Sequence, residues 1–567
     1  MPTALTISVK ETLDLLDGSF LGVSRGFVEG QYALWLGSGI SRDRVIGLDG
    51  VLAKLIEFLR ANATADADCA YRKALEEVVS MAKPSPEENA AIDFSQPAIN
   101  WPCLPSLLTR LWKQYADVLS VEVGTEKLDY LLWVGLDFSS TFASQDPDAE
   151  HLAIGMLALE GVITDLATAN WDGLLEAGMR ELGWDEKFYR ITVTGQDLRG
   201  PAAAAVLYKF HGCALRAIEH EDDYRPLLIA RAAQITGWMS NGTFRVVRDQ
   251  LRALAQRSRT LMIGMSAQDK NIQHLFGQVG AQQGWKWTDQ PTPIVFSAQE
   301  LGTDQKDVLN VAYGQEVYEH NRIAICEAAC LPAYGKPLLL GLLLTALAAK
   351  LQTLASDVHA PALDAAAHQA IASGIKRLRD RVAEAGNGDR LDLAKRIAAG
   401  LARGRFQVEN GVSLPGTLPY FPIDSRPPHQ MKGMPRTVAT GLREAAAALG
   451  LIGLADLAVE WTASVDDPTD SRSGALRLTS SNATARVFFA ANDENITSLM
   501  DYGAFDEDDP DVVVICSRKV SDRQQRSPKA RLRGGKVGPR YLAFGPMAAD
   551  AGSLADLQYN FRSEISV

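Results

Sequence analysis

The chain has few cysteines, and they are scattered. There are six in 567 residues, and only Cys326 and Cys330 are near neighbours. Their spacing of four residues is typical of one face of a helix. A small secreted protein held together by disulfides has many more cysteines in a much shorter chain. The cysteine content therefore argues against a disulfide framework.

Long hydrophobic runs and a targeting leader are also lacking. The first residues show no basic start followed by an apolar stretch, which a secretory signal requires. The most apolar run, residues 338–349, has 12 residues, whereas a bilayer span needs about 20. The run is therefore interpreted as a buried helix. We expect a cytoplasmic protein with no membrane contact.

An excess of positive charge is absent as well. The formal net charge is -12, which argues against a generally cationic nucleic-acid binder but not against a local basic patch. Hydrophobic residues make up 47% and charged residues 22%, as in ordinary globular proteins. The length allows several domains.

The first part of the chain has the pattern of a parallel α/β sheet. An apolar run at 31–36 ends in a glycine turn, and helical spacing follows from residue 51, as in a dinucleotide-binding unit. Residues 60–160 show helical periods only and are interpreted as a helical insertion. Residues 1–335 are therefore predicted to form one Rossmann-like domain. The other strand candidates are 161–168, 206–210, 260–264 and 293–297.

The character of the chain changes after residue 335. Residues 336–472 are predicted to be helical, with a proline-rich connector that begins at residue 414. Strand-like alternation then appears at 475–479, 485–490 and 512–516. Residues 473–567 are therefore predicted to form a small α/β domain.

Two glycine turns follow predicted strands. Gly37, Ser38 and Gly39 would allow backbone amides to approach a pyrophosphate closely. Gly264 and Ser266 form a similar turn after a later strand. For the first of these turns, the alternative is an ordinary tight connection between a strand and a helix, and taken alone that alternative is favoured.

Polar residues follow two further strands. Asn170 and Asp172 lie two residues apart in one turn, so both can face one pocket, although such residues often cap the next helix instead. His211 follows an apolar run and precedes a glycine, and histidine suits general base chemistry near neutral pH. A lone histidine is more often structural. The co-occurrence of all these motifs favours the functional interpretation.

The order of the four motifs resembles the sirtuin family, and more closely its bacterial sirtuin-like branch of NADases in anti-phage defence. The resemblance covers about residues 30–300 and implies one NAD pocket. It implies that Asp172 binds the nicotinamide carboxamide, that Asn170 holds the ribose hydroxyls or the attacking water, and that His211 is the base. The implied NAD-binding residues are Gly37, Ser38, Gly39, Ser41, Thr168, Gly264, Ser266, Asp269 and Ser297, with Gln299 as a further candidate at the adenosine half.

The sequence departs from the deacetylating sirtuins in one important respect. Those enzymes usually carry two Cys-x-x-Cys pairs after the histidine, which bind a structural zinc, whereas only Cys213 lies between His211 and Cys326 here. We therefore expect no zinc, and this departure argues against acyl-lysine chemistry. The expected reaction is hydrolysis of NAD to nicotinamide and ADP-ribose. The alternatives are an NAD-dependent protein deacylase and a scaffold that senses nucleotides or nucleic acid without turnover.

A basic segment lies near the end of the chain. Residues 518–540 contain nine Lys or Arg and one acid, which indicates either a nucleic-acid contact or a solvated loop. An NADase needs an off state, so the C-terminal half is a candidate sensor. The resemblance implies a homo-oligomer and a defence partner, either a hexameric DNA-translocase-type ATPase or a short Argonaute. The chain has no Walker-type phosphate loop, so any ATPase activity must come from a partner.

Overall fold

The N-terminal half is built on a seven-stranded parallel sheet. A computed structural model of the chain describes residues 2–143, 146–200, 202–283, 286–386, 388–413, 419–467, 469–481, 483–520 and 538–565. The strand order is β3-β4-β2-β1-β5-β6-β7, and all neighbours run parallel. This arrangement confirms the expected Rossmann-like α/β fold. The strands are β1 (Tyr32–Leu36), β2 (Asp165–Thr168), β3 (Tyr189–Thr192), β4 (Ala205–Lys209), β5 (Arg259–Ile263), β6 (Ile294–Ser297) and β7 (Cys330–Leu331).

The carboxyl ends of the central strands are aligned. Leu36 of β1 lies opposite Thr168 of β2 and Ile263 of β5, and Thr168 lies opposite Lys209 of β4. All five residues of β1 are buried, because helices cover both faces of the sheet. The chain segments that follow these strands therefore meet at one edge, where ligands bind in open α/β sheets.

Helices cover the two faces of this sheet. Leu34 and Leu36 of β1 belong to one apolar cluster, and Ala33 and Trp35 belong to the other. The covering helices are Val9–Asp17, Leu21–Val28, Leu174–Glu181, Ala214–Glu219, Glu221–Tyr224, Ala232–Gly237, Arg245–Arg257, Lys270–Gln283, Thr303–Tyr313 and Gln315–Ala329, with short 3-10 turns at Glu186–Phe188, Asp197–Arg199, Arg225–Leu227 and Gly242–Phe244.

The insertion between β1 and β2 is helical, as the sequence predicts. In the described residues from 37 to 164, every regular element is a helix, and most of them share their own apolar cluster. The last helix, Ala149–Leu159, differs because all eleven of its residues are buried and it packs in the main core. The insertion elements are Ser38–Ser41, Leu48–Asn62, Ala70–Met81, Pro86–Ala90, Ala98–Asn100, Leu104–Leu111, Trp112–Gln114, Tyr115–Val118, Leu131–Gly135, Phe138–Phe142 and Ala149–Leu159.

A long apolar helix, Gly335–Ser356, joins the two halves of the chain. It has 22 residues, so the expectation that it is too short to cross a membrane is wrong. It is the one helix in the described part of the chain that is long and apolar enough to do so, and 72% of its most apolar window is buried in the fold. The predicted buried helix is confirmed. Its Lys350 forms a fully buried ion pair with Glu160, at 2.6 Å.

The C-terminal half contains a helical region and a second sheet. Its five strands have the order β12-β11-β10-β9-β8, with β10, β11 and β12 parallel and the other pairs antiparallel. The three strands expected from sequence are present, and β8 and β12 are additional. The elements are helices Ala365–Ala385, Arg390–Asn410, Pro428–Gln430, Pro435–Ala439 and Leu442–Leu457, then β8 (Thr462–Ser464), β9 (Leu476–Thr479), β10 (Thr484–Ala490), helix Asp493–Asp501, β11 (Val512–Cys516), β12 (Arg540–Ala543), and helices Phe544–Asp550 and Leu554–Ile565.

The domain boundaries remain predictions. One apolar cluster contains residues of β1, of helix Gly335–Ser356 and of β10. Packing in the main core is therefore continuous across both expected boundaries, at residues 335 and 472.

Candidate active site

The two glycine turns contact each other at the carboxyl edge of the sheet. The amide of Gly37 donates to the carbonyl of Ile263 at 2.9 Å, and the amide of Gly39 donates to the carbonyl of Gly264 at 3.0 Å. A Cβ on Gly39 would lie 2.5 Å from Cα of Gly264, and Gly264 itself has a φ of +65°. Glycine is therefore required for the close approach of the turns. Both amides have protein acceptors, and a contact with a pyrophosphate stays a prediction.

The first turn continues into a short 3-10 helix, Ser38–Ser41, and the next α-helix begins only at Leu48. Ser38 is exposed, whereas Ser41 is buried. The hydroxyl of Ser41 donates to Oδ2 of Asp172 at 2.9 Å. The first glycine turn and the Asn170–Asp172 turn are thus in direct contact.

Asn170 is bound to the same serine. Its Nδ2 donates to Oγ of Ser41 at 3.1 Å and to the carbonyl of Gly37 at 3.2 Å. The other oxygen of Asp172, Oδ1, accepts from the amide of Leu174 at 3.2 Å. Asp172 therefore forms an Asx-type turn leading into the following helix, close to the simpler interpretation of this segment, and also binds the glycine turn.

Thr168 lies beneath this network. Its Oγ1 donates to the carbonyl of Leu36 and accepts from the amide of Asn170, both at 3.0 Å. The residue is almost fully buried. Thr168 therefore links β1 to the polar turn that follows β2.

His211 faces an aspartate that the sequence analysis assigns elsewhere. Nε2 of His211 lies 3.1 Å from Oδ2 of Asp269, and Oδ1 of Asp269 accepts from the amide of Asn271 at 2.9 Å. Burial raises the pKa of Asp269, but the contacts with His211 and Asn271 outweigh it, so the pKa of Asp269 is lowered overall. An aspartate in this position can orient an imidazole and stabilise its charged form.

Trp171 connects the Asn170–Asp172 turn to His211 and to the insertion. Its Nε1 donates to the carbonyl of His211 at 3.0 Å, and its own carbonyl accepts from the amide of Ala214 at 2.8 Å. Its ring packs edge-on against Phe142 of the insertion, with centroids 5.4 Å apart. The insertion therefore supports one side of the site.

Lys209, the last residue of β4, belongs to none of the sequence motifs but contacts the site. Its Nζ lies 2.6 Å from Oε1 of Glu176 and donates to the carbonyl of Asp172 at 2.5 Å. The Lys209 and Glu176 side chains are 1% and 0% exposed. Leu207 is fully buried two residues earlier, so the period of two along the strand already places Lys209 on a buried face.

The residues proposed for the adenosine half are less closely grouped. Ser266 is exposed just beyond Gly264. Ser297 is buried and its hydroxyl donates to the carbonyl of Ala333. Oε1 of Gln299 accepts from the amide of Ala4. Ser297 and Gln299 thus hold other segments of the chain, and their contact with a ligand stays a prediction.

A charged cluster joins the glycine turn to the long apolar helix. Nζ of Lys336 lies 3.0 Å from Oδ2 of Asp148 and 2.6 Å from Oδ2 of Asp43, and Arg44 also binds Asp148 at 3.0 Å. Glu150 is buried beside this cluster. Burial, which the charge of Lys336 only partly offsets, raises the pKa of Glu150 to about 8.

Two further expectations concern a zinc site and the basic segment near the end of the chain. Within the described ranges, no group of three or more His, Cys, Asp or Glu is arranged to hold a metal ion, and the six cysteines are free. The absence of zinc stays a prediction. Most of the basic segment, residues 521–537, lies outside the described residues. Its role in nucleic-acid contact also stays a prediction.

Comparison with known families agrees with the site. Residues 164–318 match the model of the SIR2-like domain. The match supports membership of the SIR2-like family and an NAD-using domain. It includes Asn170, Asp172, His211 and Asp269, but begins after the Gly37–Ser41 turn. No curated protein matches the chain.

Proposed function

We propose that the chain is an NAD glycohydrolase that releases nicotinamide and ADP-ribose. The observation that carries the proposal is the meeting of two polar groups at one sheet edge. The first is the Asn170–Ser41–Asp172 network, and the second is the His211–Asp269 pair. Of these residues, all but Ser41 lie in the segment 164–318, which matches an NAD-using domain family. Ser41 is hydrogen-bonded to that segment.

The proposed reaction needs little chemical assistance. The bond between C1′ of the ribose and the pyridinium nitrogen breaks, and nicotinamide leaves with the bonding electrons as a neutral molecule. The oxygen of water bonds to C1′, and one proton of that water is released. Asp172 and Asn170 hold the nicotinamide and the ribose, and His211 takes a proton from a ribose hydroxyl or from the water. General base assistance of this kind is worth about a hundredfold to ten-thousandfold.

The contact with Asp269 supports a division of roles between the two nitrogens of His211. Nε2 is buried against the carboxylate, so Nδ1 is the nitrogen that we assign to the substrate. A carboxylate in this position can orient the imidazole ring for proton transfer. A histidine held only by packing would lack this partner.

We further propose that this activity serves anti-phage defence by abortive infection. Depletion of cellular NAD requires an off state, and the C-terminal half is packed onto the catalytic fold through helix Gly335–Ser356. Lys336 at the start of that helix binds Asp43 beside the glycine turn, which supports a route from the C-terminal half to the site. The homo-oligomer, the ATPase or Argonaute partner and the cytoplasmic location are parts of the same proposal.

The test is NAD consumption by purified protein, with nicotinamide and ADP-ribose quantified. Asn170→Ala and His211→Ala are each expected to reduce turnover at least about a hundredfold. His320→Ala, an exposed histidine on helix Gln315–Ala329, is the matched control and is expected to retain activity. The assay is repeated with extract from infected cells, in case a trigger is required.

The same assay separates the alternatives. An acyl-peptide that accelerates nicotinamide release and loses its acyl group would indicate a deacylase. Binding of NAD without turnover under every condition would contradict the hydrolase and leave a sensing scaffold. Salt-sensitive binding of a polynucleotide, lost on neutralising Arg531, Arg533 and Lys536, would add the nucleic-acid contact to that scaffold.

A further inference from the structure

Lys209 is a charged residue in a position where β4 is otherwise apolar. Its strand neighbours Leu207 and Tyr208 are buried, and Lys209 is the last residue of β4. It lies opposite Thr168 in the sheet register and two residues before His211. Lys209 therefore stands between the two chain segments that carry the proposed site.

The ammonium group of Lys209 has two acceptors. Oε1 of Glu176, in the first turn of helix Leu174–Glu181, neutralises the charge at 2.6 Å. The carbonyl of Asp172 accepts at 2.5 Å. Asp172 is thus held by three partners, because Ser41 and the amide of Leu174 bind its two carboxylate oxygens.

A contribution to stability does not by itself explain why this ion pair is buried. Two charges must lose their hydration to be buried, and well-packed apolar residues of similar volume are often as stable or more so. An apolar pair of similar volume at positions 176 and 209 would avoid that cost. The bond to the Asp172 carbonyl is the one contact of Lys209 that an apolar pair could not reproduce.

We propose that Lys209 is a positioning residue of the NAD site. It holds the Asp172 carbonyl to the end of β4, and so sets the position of the Asn170–Asp172 turn relative to His211. Glu176 neutralises and orients the ammonium group, and its Oε1 also accepts from the thiol of Cys213 at 3.8 Å. The proposal rests on the proposed function, because it concerns the nicotinamide end of the same pocket.

The decisive variant removes both charges. Lys209→Met alone would leave a buried carboxylate without its partner and would destabilise the fold strongly. Lys209→Met combined with Glu176→Met fills the space with flexible apolar side chains, and the melting temperature is expected to stay within a few degrees of the parent. We expect kcat for NAD hydrolysis to fall about 10- to 100-fold, since small displacements of binding groups have effects of that size. The KM for NAD should rise by no more than the factor that separates the Kd values of NAD and ADP-ribose in the parent, because the adenosine half binds elsewhere.

A second buried ion pair supplies the control. Lys350 and Glu160 are both fully buried and lie at the opposite end of helix Ala149–Leu159 from the site. Lys350→Met combined with Glu160→Gln is expected to lower the melting temperature without changing kcat or KM below that temperature. A general effect of losing a buried charge pair would instead lower kcat in both double variants.

Binding measurements make the result independent of turnover. The difference in Kd between NAD and ADP-ribose isolates the nicotinamide end, and the Lys209 double variant should lose most of that difference. A folded double variant with unchanged kcat and an unchanged Kd difference would overturn the proposal. If the wild type binds NAD but does not hydrolyse it, the proposed function fails, while the Kd difference still decides the role of Lys209. If the wild type does not bind NAD, the proposed function and the positioning role of Lys209 are both rejected.

A second double variant tests the proposal if the first one does not fold. Lys209→Gln with Glu176→Gln replaces the ion pair with two neutral amides that can hydrogen-bond to each other. The shorter amide at position 209 cannot reach the Asp172 carbonyl in the same way. The same loss of kcat and of the Kd difference is expected, and normal values for both would reject the positioning role.

Discussion

Asp269 holds two elements of the site at once, because one carboxylate oxygen lies 3.1 Å from Nε2 of His211 and the other accepts from the amide of Asn271. The helix that begins at Lys270 therefore fixes the carboxylate, and the carboxylate fixes the imidazole. This places Asp269 beside the proposed base, in addition to any contact with adenosine.

Replacement of Asp269 by asparagine should separate its two contacts. Asparagine still caps the helix, so the free energy of unfolding should change by no more than about 1 kcal/mol. It replaces the carboxylate that faces Nε2 of His211 with a neutral amide, which orients the imidazole less well, so kcat for NAD hydrolysis should fall about 10- to 1000-fold. Steady-state kinetics of Asp269→Asn measure kcat, and thermal melting measures the change in stability. Asp304→Asn, in the first turn of helix Thr303–Tyr313, is the control and should leave kcat unchanged. Equal kcat in the two variants would contradict an orienting role for Asp269.

The location of Asp269 illustrates the limit of reasoning from sequence. The residues from Gly264 to Asp269 form one motif along the chain, which suggests one function at the adenosine. In the folded protein Gly264 and Ala267 both have positive φ values, so the segment turns back towards His211. A non-glycine residue in that conformation is uncommon and is not visible in the motif. The spacing therefore predicts the site but not which side chains meet within it.

The strands of the first sheet also differ in whether the sequence predicts them. β1, β2, β4, β5 and β6 are expected from sequence because each is an apolar run that ends at a candidate polar residue. β3 is absent from the expectations, because Tyr189–Thr192 carries an arginine and has no motif after it. β7 has two residues, too few for any periodic signal. Short edge strands depend on their neighbours more than on their own residues.

The Ser41 hydroxyl should be important to both function and stability. It donates to Asp172 and accepts from Asn170, so Ser41→Ala leaves the buried Asp172 and the half-buried Asn170 without this partner. The free energy of unfolding should fall by about 1–3 kcal/mol. Turnover of NAD should also fall at least tenfold, because the Asn170–Asp172 turn is no longer tied to the glycine turn. Ser373→Ala, on helix Ala365–Ala385, removes an exposed hydroxyl that donates to the carbonyl of Gln369 in the same helix, and it should affect neither quantity. Retention of normal turnover by Ser41→Ala would argue that the network is only structural.

The contact between the glycine turns can be tested directly. In Gly39→Ala the new Cβ would lie 2.5 Å from Cα of Gly264 and 2.9 Å from its carbonyl oxygen, so the turns must separate. We expect a loss of about 1–3 kcal/mol in the free energy of unfolding and weaker binding of both NAD and ADP-ribose, measured by calorimetry. Gly404→Ala is the matched control, since it lies in helix Arg390–Asn410 with nothing within 4 Å of the new Cβ. It should stabilise the protein by about 0.5–1 kcal/mol. A similar gain for Gly39→Ala would show that the turns do not need their close approach.

Glu150 should make the stability of the fold depend on pH in the alkaline direction. Its pKa is about 8 in the folded protein, chiefly because of burial, whereas an unfolded glutamate titrates near 4.5. Below pH 4.5 the group is protonated in both states and does not affect folding. Between pH 4.5 and 8 the unfolded state loses its proton first, so the contribution of Glu150 to stability falls as pH rises and levels off above pH 8. Lys336 opposes this effect, and Asp148 and Asp43 reinforce it.

The neutral variant Glu150→Gln should remove that dependence. Its melting temperature should exceed that of the wild type by several degrees at pH 8.5 and should be close to it at pH 5, where the wild-type carboxyl is protonated in the folded state. Glu327→Gln, an exposed acid on helix Gln315–Ala329, should give the same small difference at both pH values. Melting curves of the three proteins from pH 5 to 9 make the comparison. A gain for Glu150→Gln that is equal at every pH would mean that the carboxyl keeps its charge throughout, with Lys336 offsetting the cost of burial.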